Sequence, residues 1–322
     1  MTRLGITLGC PAGVGPEIVV RALSELGDLA RGVIIYGDRG PLERAARACG
    51  VAMPDVPIVG DGVGEHARAG QPDDACGAAQ VGYLEAALAA AKRGELAALA
   101  TAPISKTWAK RAGFAFPGHT EFLAARLDAP RVAMMFAGPK LRVVLATVHV
   151  PLREVAGALT TRGVRDAIEL VADALVRDFA IAAPRIGVVG LNPHAGEGGL
   201  LGGEDEAIIA PALAEPLPPA TLHGPLVPDA AFRAHADGRY DALVAMYHDQ
   251  ALIPVKLLDF EDSVNVTLGL PLARTSPDHG TAYDIAGRGV ARATSMRRAL
   301  ELAARTVRVR SDQQHANLEC FQ

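Results

Sequence analysis

The sequence predicts an α/β fold of two lobes, and three features of the chain indicate it. Short apolar runs alternate with amphipathic helical stretches, which is typical of strands joined by helices. A length of 322 residues is long for a single hydrophobic core. Distinctive polar groups follow the carboxyl ends of the apolar runs, where open α/β sheets form their ligand-binding crevice.

The strands are predicted from apolar and β-branched runs bounded by glycine, proline or polar residues. They cover residues 4–8, 33–36, 96–101, 142–148, 186–190 and 242–246. A helix is predicted over residues 164–179, where Val164, Ile168 and Val171 recur at helical spacing. The alanine-rich segment "YLEAALAAAKRGE" predicts another helix, which ends at Gly94.

Composition and charge narrow the function classes. A net charge of -4 and a pI near 6.1 give no electrostatic reason to expect nucleic acid or an anionic membrane as a partner. No apolar stretch reaches the ~20 residues that a membrane-spanning helix needs. The N-terminus shows no charged and then apolar leader, and the cysteines form no CxxC pair. We therefore expect a cytoplasmic protein with reduced thiols.

Five polar segments stand at or near the ends of predicted strands. They are "GCPAGVGPE", "APISK", "HVPLR", "NPHAGEGG" and "YHDQ". Because carboxyl ends of parallel strands meet at one edge of a sheet, these segments are expected to converge on one cleft.

Three histidines, His149, His194 and His248, each follow a predicted strand. Their spacings of 45 and 54 residues match no local zinc motif such as HExxH, so the fold would have to assemble any metal site. Three imidazoles in equivalent positions indicate either a metal site with open coordination positions or a general acid/base cluster. Asp249 and Glu197 lie nearby in the sequence, and we expect their carboxylates to orient the imidazoles. The histidines expected to be solvated or capping residues are His66, His223, His235 and His315.

Candidate anion-binding residues occur in two places. Lys256, Asn265 and Arg274 follow one another at intervals of nine residues, and their groups would suit a phosphate monoester. Spacing alone favours three unrelated surface residues. In "GHTEFL", His119 and Thr120 precede a helical pattern beginning with the next residue, so Thr120 would cap that helix or leave local amides free for an anion.

The glycine-rich segments do not match the common nucleotide-binding motifs. "GCPAGVG" is not GxGxxG, and "GEGGLLGG" lacks the GK[ST] of a P-loop. In "DHGTAYDIAGRGVA", Gly280, Gly287 and Gly289 predict a backbone that another group approaches closely.

These segments together resemble the 4-hydroxythreonine-4-phosphate dehydrogenase family of vitamin B6 (pyridoxal phosphate) biosynthesis, over residues 4–304. The matching segments are "GCPAGVGPEI", "FPGHTEFLA", "LRVVLATVHVPLR", "LNPHAGEGG", "AMYHDQ", "VNVTLGLPLARTS" and "DHGTAYDIAGRG". The last is also similar to the cofactor loop of isocitrate and isopropylmalate dehydrogenases. The resemblance implies two α/β/α lobes around a central cleft. Residues 1–120 and 275–309 would form the first lobe, residues 121–274 the second, and residues 310–322 a polar tail.

The resemblance also implies three sets of site residues. The metal ligands would be His149, His194 and His248, the last supplied by the partner subunit of a homodimer. The phosphorylated substrate would be bound by His119, Thr120, Lys256, Asn265 and Arg274. Part of NAD or NADP would be held by His279, Gly280, Thr281, Ala282 and Asp284.

The implied reaction is an oxidation followed by a decarboxylation. A divalent metal (zinc, cobalt, magnesium or manganese) would ease loss of the C3 hydroxyl proton while hydride passes to NAD or NADP. The resulting β-keto acid would lose its carboxylate to give 3-amino-2-oxopropyl phosphate. Lys106 and Asp249 are the candidates for the base that accepts the hydroxyl proton.

One residue departs from the family pattern, because Cys10 stands where the family usually has Asp. The thiol would weaken the site, mark a different substrate, or be a tolerated small residue. A paralogue that oxidises threonate or erythronate 4-phosphate is the main alternative. The phosphate set argues against relatives that act on unphosphorylated aromatic dihydrodiols. Two hypotheses from other functional classes are a metal-dependent hydrolase and a catalytically silent metabolite-binding protein.

Overall fold

A computed structural model of the chain describes residues 3–319, and the α/β class is confirmed. The strands are β1 (Arg3–Thr7), β2 (Val33–Tyr36), β3 (Ile58–Val59), β4 (Leu96–Thr101), β5 (Ala133–Ala137), β6 (Arg142–Leu145), β7 (Arg185–Val189), β8 (Thr221–Leu226), β9 (Ala242–Ala245), β10 (Val264–Leu268) and β11 (Ala273–Pro277). The helices are α1 (Gly15–Glu25), α2 (Arg39–Cys49), α3 (Asp74–Lys92), α4 (Lys106–Arg111), α5 (His119–Arg126), α6 (Val155–Ala158), α7 (Thr161–Arg177), α8 (Ala210–Leu213), α9 (Pro228–Ala236), α10 (His248–Asp259) and α11 (Thr294–Glu319). Within residues 3–319, no helix combines the length and the apolar character that crossing a membrane requires.

The chain divides into two compact units. Among the described residues, the first consists of 3–130 and Leu270–Val307, and the second of Arg131–Gly269 and 308–319. The boundaries expected after residues 120 and 274 fall inside α5 and β11, and both elements lie whole in the first unit.

Strands of the first unit run parallel to one another, in the order β3-β2-β1-β4-β11. Their centre is apolar on both faces, and Ile6, Ile35 and Leu99 have no exposed surface. Burial on both faces explains why these strands appear in the sequence as continuous apolar runs rather than as alternating patterns.

In the second unit the strand order is β10-β5-β6-β9-β7-β8. The β10–β5 and β5–β6 pairs are antiparallel, whereas β6–β9, β9–β7 and β7–β8 are parallel. The parallel pairs bring the carboxyl ends of β6, β9 and β7 to the same edge, side by side.

The helix predicted over residues 164–179 is confirmed as α7. Thr160 caps it, with its hydroxyl accepting a hydrogen bond from the Gly163 amide at 3.0 Å. Val164, Ile168 and Val171 are completely buried, as their helical spacing predicts.

The predicted polar tail is helical as far as α11 extends. Arg310 pairs with Asp178 at 2.7 Å, and the Gln313 amide donates to the Val176 carbonyl at 2.9 Å. Polar contacts therefore fix this segment, and an apolar pattern in the sequence could not reveal them. The last residues of the tail, 320–322, lie outside the described part of the chain.

Candidate active site

Three sequence-predicted histidines lie beyond the carboxyl ends of neighbouring strands in the second unit. His149 follows β6, His248 follows β9 and His194 follows β7. Parallel pairing continues past β6 and β9, because the Ala146 amide donates to the Ala245 carbonyl at 2.9 Å. The strand order thus places all three histidines along the edge where α/β sheets bind ligands.

Two of the three rings are close together. The ring centroids of His149 and His248 are 5.7 Å apart within one chain. The Asp249 carboxylate also contacts His248, with Oδ1 2.7 Å from Nδ1. Both histidines border a cavity of about 210 Å³. It is lined by Val148, His149, Val150, Leu152, Val155, Tyr247, His248 and Asp249.

His194 lies on a strained turn. The backbone is left-handed at His194 (φ 53°), Ala195 (φ 52°) and Glu197 (φ 44°), a conformation unusual for residues other than glycine. Such strain persists only where surrounding contacts impose it, and it is common at functional sites. The Glu197 carboxylate lies 3.3 Å from His194 Nδ1, as the orienting role expected for it requires.

A buried carboxylate imposes the turn. Asp205 is 1% exposed, and its Oδ1 accepts a hydrogen bond from the Leu191 amide at 2.8 Å. Its Oδ2 accepts from the backbone amide of Asn192 at 3.2 Å and from the Asn192 side chain at 2.9 Å. Sequence reasoning missed Asp205, since a lone aspartate in a polar loop gives no local signal.

Gln250 joins two of the strand ends. Its side-chain oxygen accepts from the Met246 amide at 2.7 Å, and its side-chain nitrogen donates to the Gly190 carbonyl at 2.7 Å. The "YHDQ" corner after β9 is therefore fastened to the end of β7. Nothing in the local sequence indicates this role for the glutamine.

The histidine chemistry fits a divalent metal. A carboxylate on Nδ1 leaves Nε2 as the ligand nitrogen, which is the usual arrangement around metal-binding histidines. His194 and His248 each have such a carboxylate neighbour. Over residues 3–319 of one chain, however, no group of three metal-ligating side chains is assembled.

The first unit gathers part of the predicted substrate set. Arg274 on β11 is 4% exposed and donates to the Thr101 hydroxyl at 2.7 Å. Burial lowers the pKa of Arg274 to about 10, so the guanidinium remains charged at neutral pH. Burial, followed by the charges of Arg274 and Lys106, holds the pKa of His119 well below its usual value. His119 is therefore neutral, and its buried Nε2 has no hydrogen-bond partner in the described part of the protein.

Thr120 does not cap the following helix, so that expectation was wrong. Helix α5 begins at His119, and Gly118 occupies the cap position in an extended conformation. Thr120 therefore lies in the first turn of α5. Lys106 lies nearby and begins α4; its Cε is 3.9 Å from where a Cβ on Gly118 would lie.

The other two predicted substrate residues belong to the second unit. Lys256 on α10 places its ammonium 5.2 Å from the ring centroid of Phe260. Asn265 lies on β10, opposite Phe136 of β5. Its buried Oδ1 has no hydrogen-bond partner among residues 3–319, as expected of a group kept for a ligand.

The predicted cofactor loop packs on the first glycine-rich segment of the same unit. The Val14 amide donates to the Thr281 carbonyl at 2.9 Å, and Tyr283 donates to the Cys10 sulfur at 3.2 Å. Glu17, which is 2% exposed, accepts a hydrogen bond from the Gly287 amide. Sequence reasoning missed the roles of Glu17 and Tyr283.

The glycines of this loop differ in what approaches them. A Cβ on Gly287 would meet Ala69, and one on Gly289 would meet the Ala48 carbonyl, whereas Gly280 faces open space. The close approach expected here is thus made by the protein itself at two positions. His279 and Asp284 are exposed, and Ala282 has a left-handed backbone (φ 43°).

The remaining histidines are mostly solvent-exposed, as expected. His235 is the exception, being only 4% exposed. Its Nδ1 lies 2.9 Å from the Tyr240 carbonyl, and its Nε2 accepts from the Arg142 amide at 2.8 Å. It is a structural residue with both ring nitrogens satisfied.

Comparison with known proteins shows close relatives over nearly the whole chain. A family profile described as pyridoxal phosphate biosynthetic protein PdxA matches residues 30–303. A 4-hydroxythreonine-4-phosphate dehydrogenase from Desulforapulum autotrophicum is 44% identical over 322 aligned residues, covering 94% of each chain. The crystal structure of a 4-hydroxythreonine-4-phosphate dehydrogenase from Klebsiella pneumoniae is 36% identical and covers 95% of this chain and 100% of its own, with a TM-score of 0.85. A terephthalate 1,2-cis-dihydrodiol dehydrogenase from Burkholderia xenovorans is 30% identical and covers 94% and 98%, with a TM-score of 0.67.

Proposed function

The chain belongs to the 4-hydroxythreonine-4-phosphate dehydrogenase family, and from that premise we propose that it oxidises 4-phosphooxy-L-threonine at C3 with NAD or NADP. Decarboxylation to 3-amino-2-oxopropyl phosphate would follow. The observation that carries the proposal is the placing of three histidines beyond neighbouring strand ends, with carboxylates on two of them.

A divalent metal held by His149, His194 and His248 would supply Lewis-acid polarisation of a substrate oxygen. The protein's part is to prepare the ligands. Asp249 accepts the Nδ1 proton of His248, which fixes the tautomer and leaves Nε2 available. Glu197 is placed to do the same for His194.

The phosphate and the proton would be handled by other side chains. Arg274, held by Thr101, offers a charged planar donor, and the neutral His119 adds a hydrogen-bonding nitrogen. Thr120, Lys256 and Asn265 complete the proposed substrate set. Since Asp249 is engaged with His248, we assign acceptance of the C3 hydroxyl proton to Lys106. The loop with His279, Gly280, Thr281, Ala282 and Asp284 is the proposed cofactor contact.

We propose that the working form is a homodimer whose subunits complete each other's metal sites. Helix α10 begins at His248 and exposes Ile253 (60%) and Leu257 (78%), and Phe260 (61%), the residue that follows the helix, continues the same helical spacing. An exposed apolar stripe of this kind is typical of a protein-binding surface. A second copy is the occupant that also supplies the third histidine. Leu257→Glu should yield monomers in sedimentation analysis, with the exposed Leu29→Glu remaining dimeric; a dimeric Leu257→Glu protein would contradict this interface.

The division of ligands between subunits can be tested directly. We keep the arrangement in which His149 and His194 of one chain are joined by His248 of the partner subunit. A second arrangement, compatible with the 5.7 Å separation of the His149 and His248 rings within one chain, would take both from that chain and His194 from the partner subunit. The two differ in which pairs of inactive chains complement each other.

Mixing His149→Ala with His248→Ala chains restores one intact site per heterodimer in the first arrangement and none in the second. Mixing His149→Ala with His194→Ala chains gives the reverse. Recovery in neither mixture would mean that each chain holds its whole site. Subunit exchange is verified by native mass spectrometry, so a failure to mix is recognised.

The substrate is tested by a turnover screen. 4-Hydroxythreonine phosphate is compared with threonate and erythronate 4-phosphates, with each nicotinamide cofactor, with and without divalent metal. The proposal predicts the highest kcat/KM for the amino acid phosphate. Preference for a sugar-acid phosphate would move the protein to the paralogous activity, and metal-dependent hydrolysis without cofactor reduction would favour a hydrolase. A protein that binds the acid phosphates without turnover would be a silent binding protein.

A further inference from the structure

A pair of cysteines lies beneath the proposed cofactor loop in the first unit. Cys10 lies in the glycine-rich segment between β1 and α1, and Cys76 lies in the first turn of α3. Neither has any exposed surface, and both belong to one small apolar cluster with Ala12 and Ala67. Tyr283 packs against this cluster. The fold has therefore brought together two thiols that are far apart in the sequence.

The surroundings of the two sulfur atoms make them chemically unequal. The neighbouring Cys76 thiol, the Tyr283 hydroxyl and the local backbone amides lower the pKa of Cys10, against the opposing effect of burial. The same bond to Cys10, together with burial, raises the pKa of Cys76. Of the two sulfurs, Cys10 is therefore the one that ionises more readily, and Cys76 the one that keeps its proton. A stabilised thiolate next to a second thiol is the arrangement found in redox-active dithiols.

The pair is linked mechanically to the cofactor loop. Tyr283 O–H donates to the Cys10 sulfur at 3.2 Å, and the Val14 amide donates to the Thr281 carbonyl at 2.9 Å. A Cβ on Gly13 would lie only 2.9 Å from the same Thr281 oxygen, so the two segments are in close contact. Conversion of the Cys10 sulfur to a disulfide would weaken the hydrogen bond that it accepts from Tyr283, because a disulfide sulfur is a poorer acceptor than a thiolate.

We propose that Cys10 and Cys76 form a hydroperoxide-sensitive dithiol whose oxidation to a disulfide weakens binding of the nicotinamide cofactor. The Cys10 thiolate attacks one oxygen of the peroxide; an S–O bond forms, the O–O bond breaks, and the departing hydroxide takes up a proton to become water. The Cys76 sulfur then attacks Cys10; the S–S bond forms, the S–O bond breaks, and hydroxide leaves with the Cys76 proton as water. Two thiols lose two electrons in total, and one hydrogen peroxide becomes two water molecules.

Burial sets the rate of this reaction. Hydrogen peroxide is small, and Tyr283, whose hydroxyl donates to the Cys10 sulfur, is only half-buried. We expect oxidation slower than that of an exposed thiolate, since reactivity follows both ionisation and access.

Cys49 provides a matched control inside the same unit. It is half-buried on α2, and burial raises its pKa, so it stays protonated at neutral pH. Cys320 is replaced by serine in every protein tested, which leaves three cysteines. The Cys49→Ser substitution should then leave the oxidation unchanged.

The first readout is the cross-link itself and needs no catalytic activity. The folded protein is treated with hydrogen peroxide, remaining thiols are alkylated, and peptides are analysed by mass spectrometry without reduction. We expect one peptide pair joining Cys10 to Cys76, present in the Cys49→Ser protein and lost with dithiothreitol. Cys10→Ser and Cys76→Ser, each checked for folding by circular dichroism, should lack it. Peroxide treatment that leaves both sulfurs as thiols, or oxidises Cys10 only to sulfinic acid, would overturn the proposal.

The second readout is cofactor affinity, and it rests on the proposed cofactor loop. Loss of the Tyr283 hydrogen bond predicts about a five-fold rise in the NAD or NADP dissociation constant after oxidation. Tyr283→Phe should show a similar rise in the reduced protein. Unchanged affinity in a fully cross-linked protein would overturn the regulatory half of the proposal. A reduced protein that binds neither cofactor would instead count against the proposed function, while the cross-link remained measurable.

Discussion

Asp205 is predicted to be essential to the turn that carries His194, and Asp205→Asn tests this with almost no change of shape. The carboxylate is 1% exposed and accepts three hydrogen bonds, from the Leu191 amide and from two nitrogens of Asn192. A carboxylate can only accept, whereas an asparagine side chain replaces one of the two oxygens with a donor.

The magnitude follows from the geometry of these bonds. Whichever way the asparagine amide turns, its NH₂ group faces the amide of Leu191 or the nitrogens of Asn192. At least one bond to a charged acceptor is lost, at about 1.5–3 kcal/mol, and a buried donor is left unsatisfied. We expect the free energy of unfolding to fall by about 2–4 kcal/mol. Metal affinity should fall roughly 10–100-fold, as it does when a group supporting a ligand is removed.

The assay combines urea unfolding, followed by circular dichroism, with metal titration against a chromophoric chelator. Glu204→Gln is the matched control, because Glu204 also accepts from the Asn192 side chain but is only half-buried. It should behave nearly as the wild type. A free energy of unfolding for Asp205→Asn within about 0.5 kcal/mol of wild type would refute the reasoning.

Three further predictions concern the first unit. Glu17→Ala removes the acceptor of the Gly287 amide and should weaken cofactor binding about ten-fold in calorimetry, whereas Glu17→Gln, which keeps an acceptor, should not. Burial, and then the charge of Arg274, lowers the pKa of His119 in the folded protein, so on acidification this histidine takes up its proton in the unfolded chain first. The free energy of unfolding of the wild type should therefore fall as the pH drops below about 6.5. The fall should be less steep in His119→Gln. An equal pH dependence in that variant would count against a buried neutral ring. Arg274→Lys should lose the bond to Thr101 and raise the substrate KM about ten-fold, with thermal unfolding as the check on folding.

The strands and the histidines were predictable because their signals are local. The buried parallel strands appear as apolar runs, and the face of α7 shows its spacing directly, as at Val164 and Ile168. A histidine directly after such a run is therefore visible without knowledge of the fold. Local patterns did not decide whether the three imidazoles serve as metal ligands or as general acids and bases.

The supporting residues were not predictable, since each acts on a distant segment. Glu17 on α1 holds a loop 270 residues further on, and Cys76 meets Cys10 only in the folded chain. The cap of α5 was misjudged because Thr120 matched a capping pattern, whereas Gly118 occupies the cap position and the helix already begins at His119. Long-range polar contacts leave no periodicity in the sequence, so only the structure reveals them.

Metal-dependent dehydrogenase activity is the central claim, and the most direct test is metal titration of chelator-stripped enzyme. Formation of reduced nicotinamide is followed with 4-hydroxythreonine phosphate and NAD or NADP as zinc, cobalt, magnesium or manganese is added. We predict no turnover in the stripped enzyme, a rise to a plateau at one metal ion per active site, and no turnover in His194→Ala at any metal concentration. Full turnover without metal, or normal turnover in His194→Ala, would contradict the account.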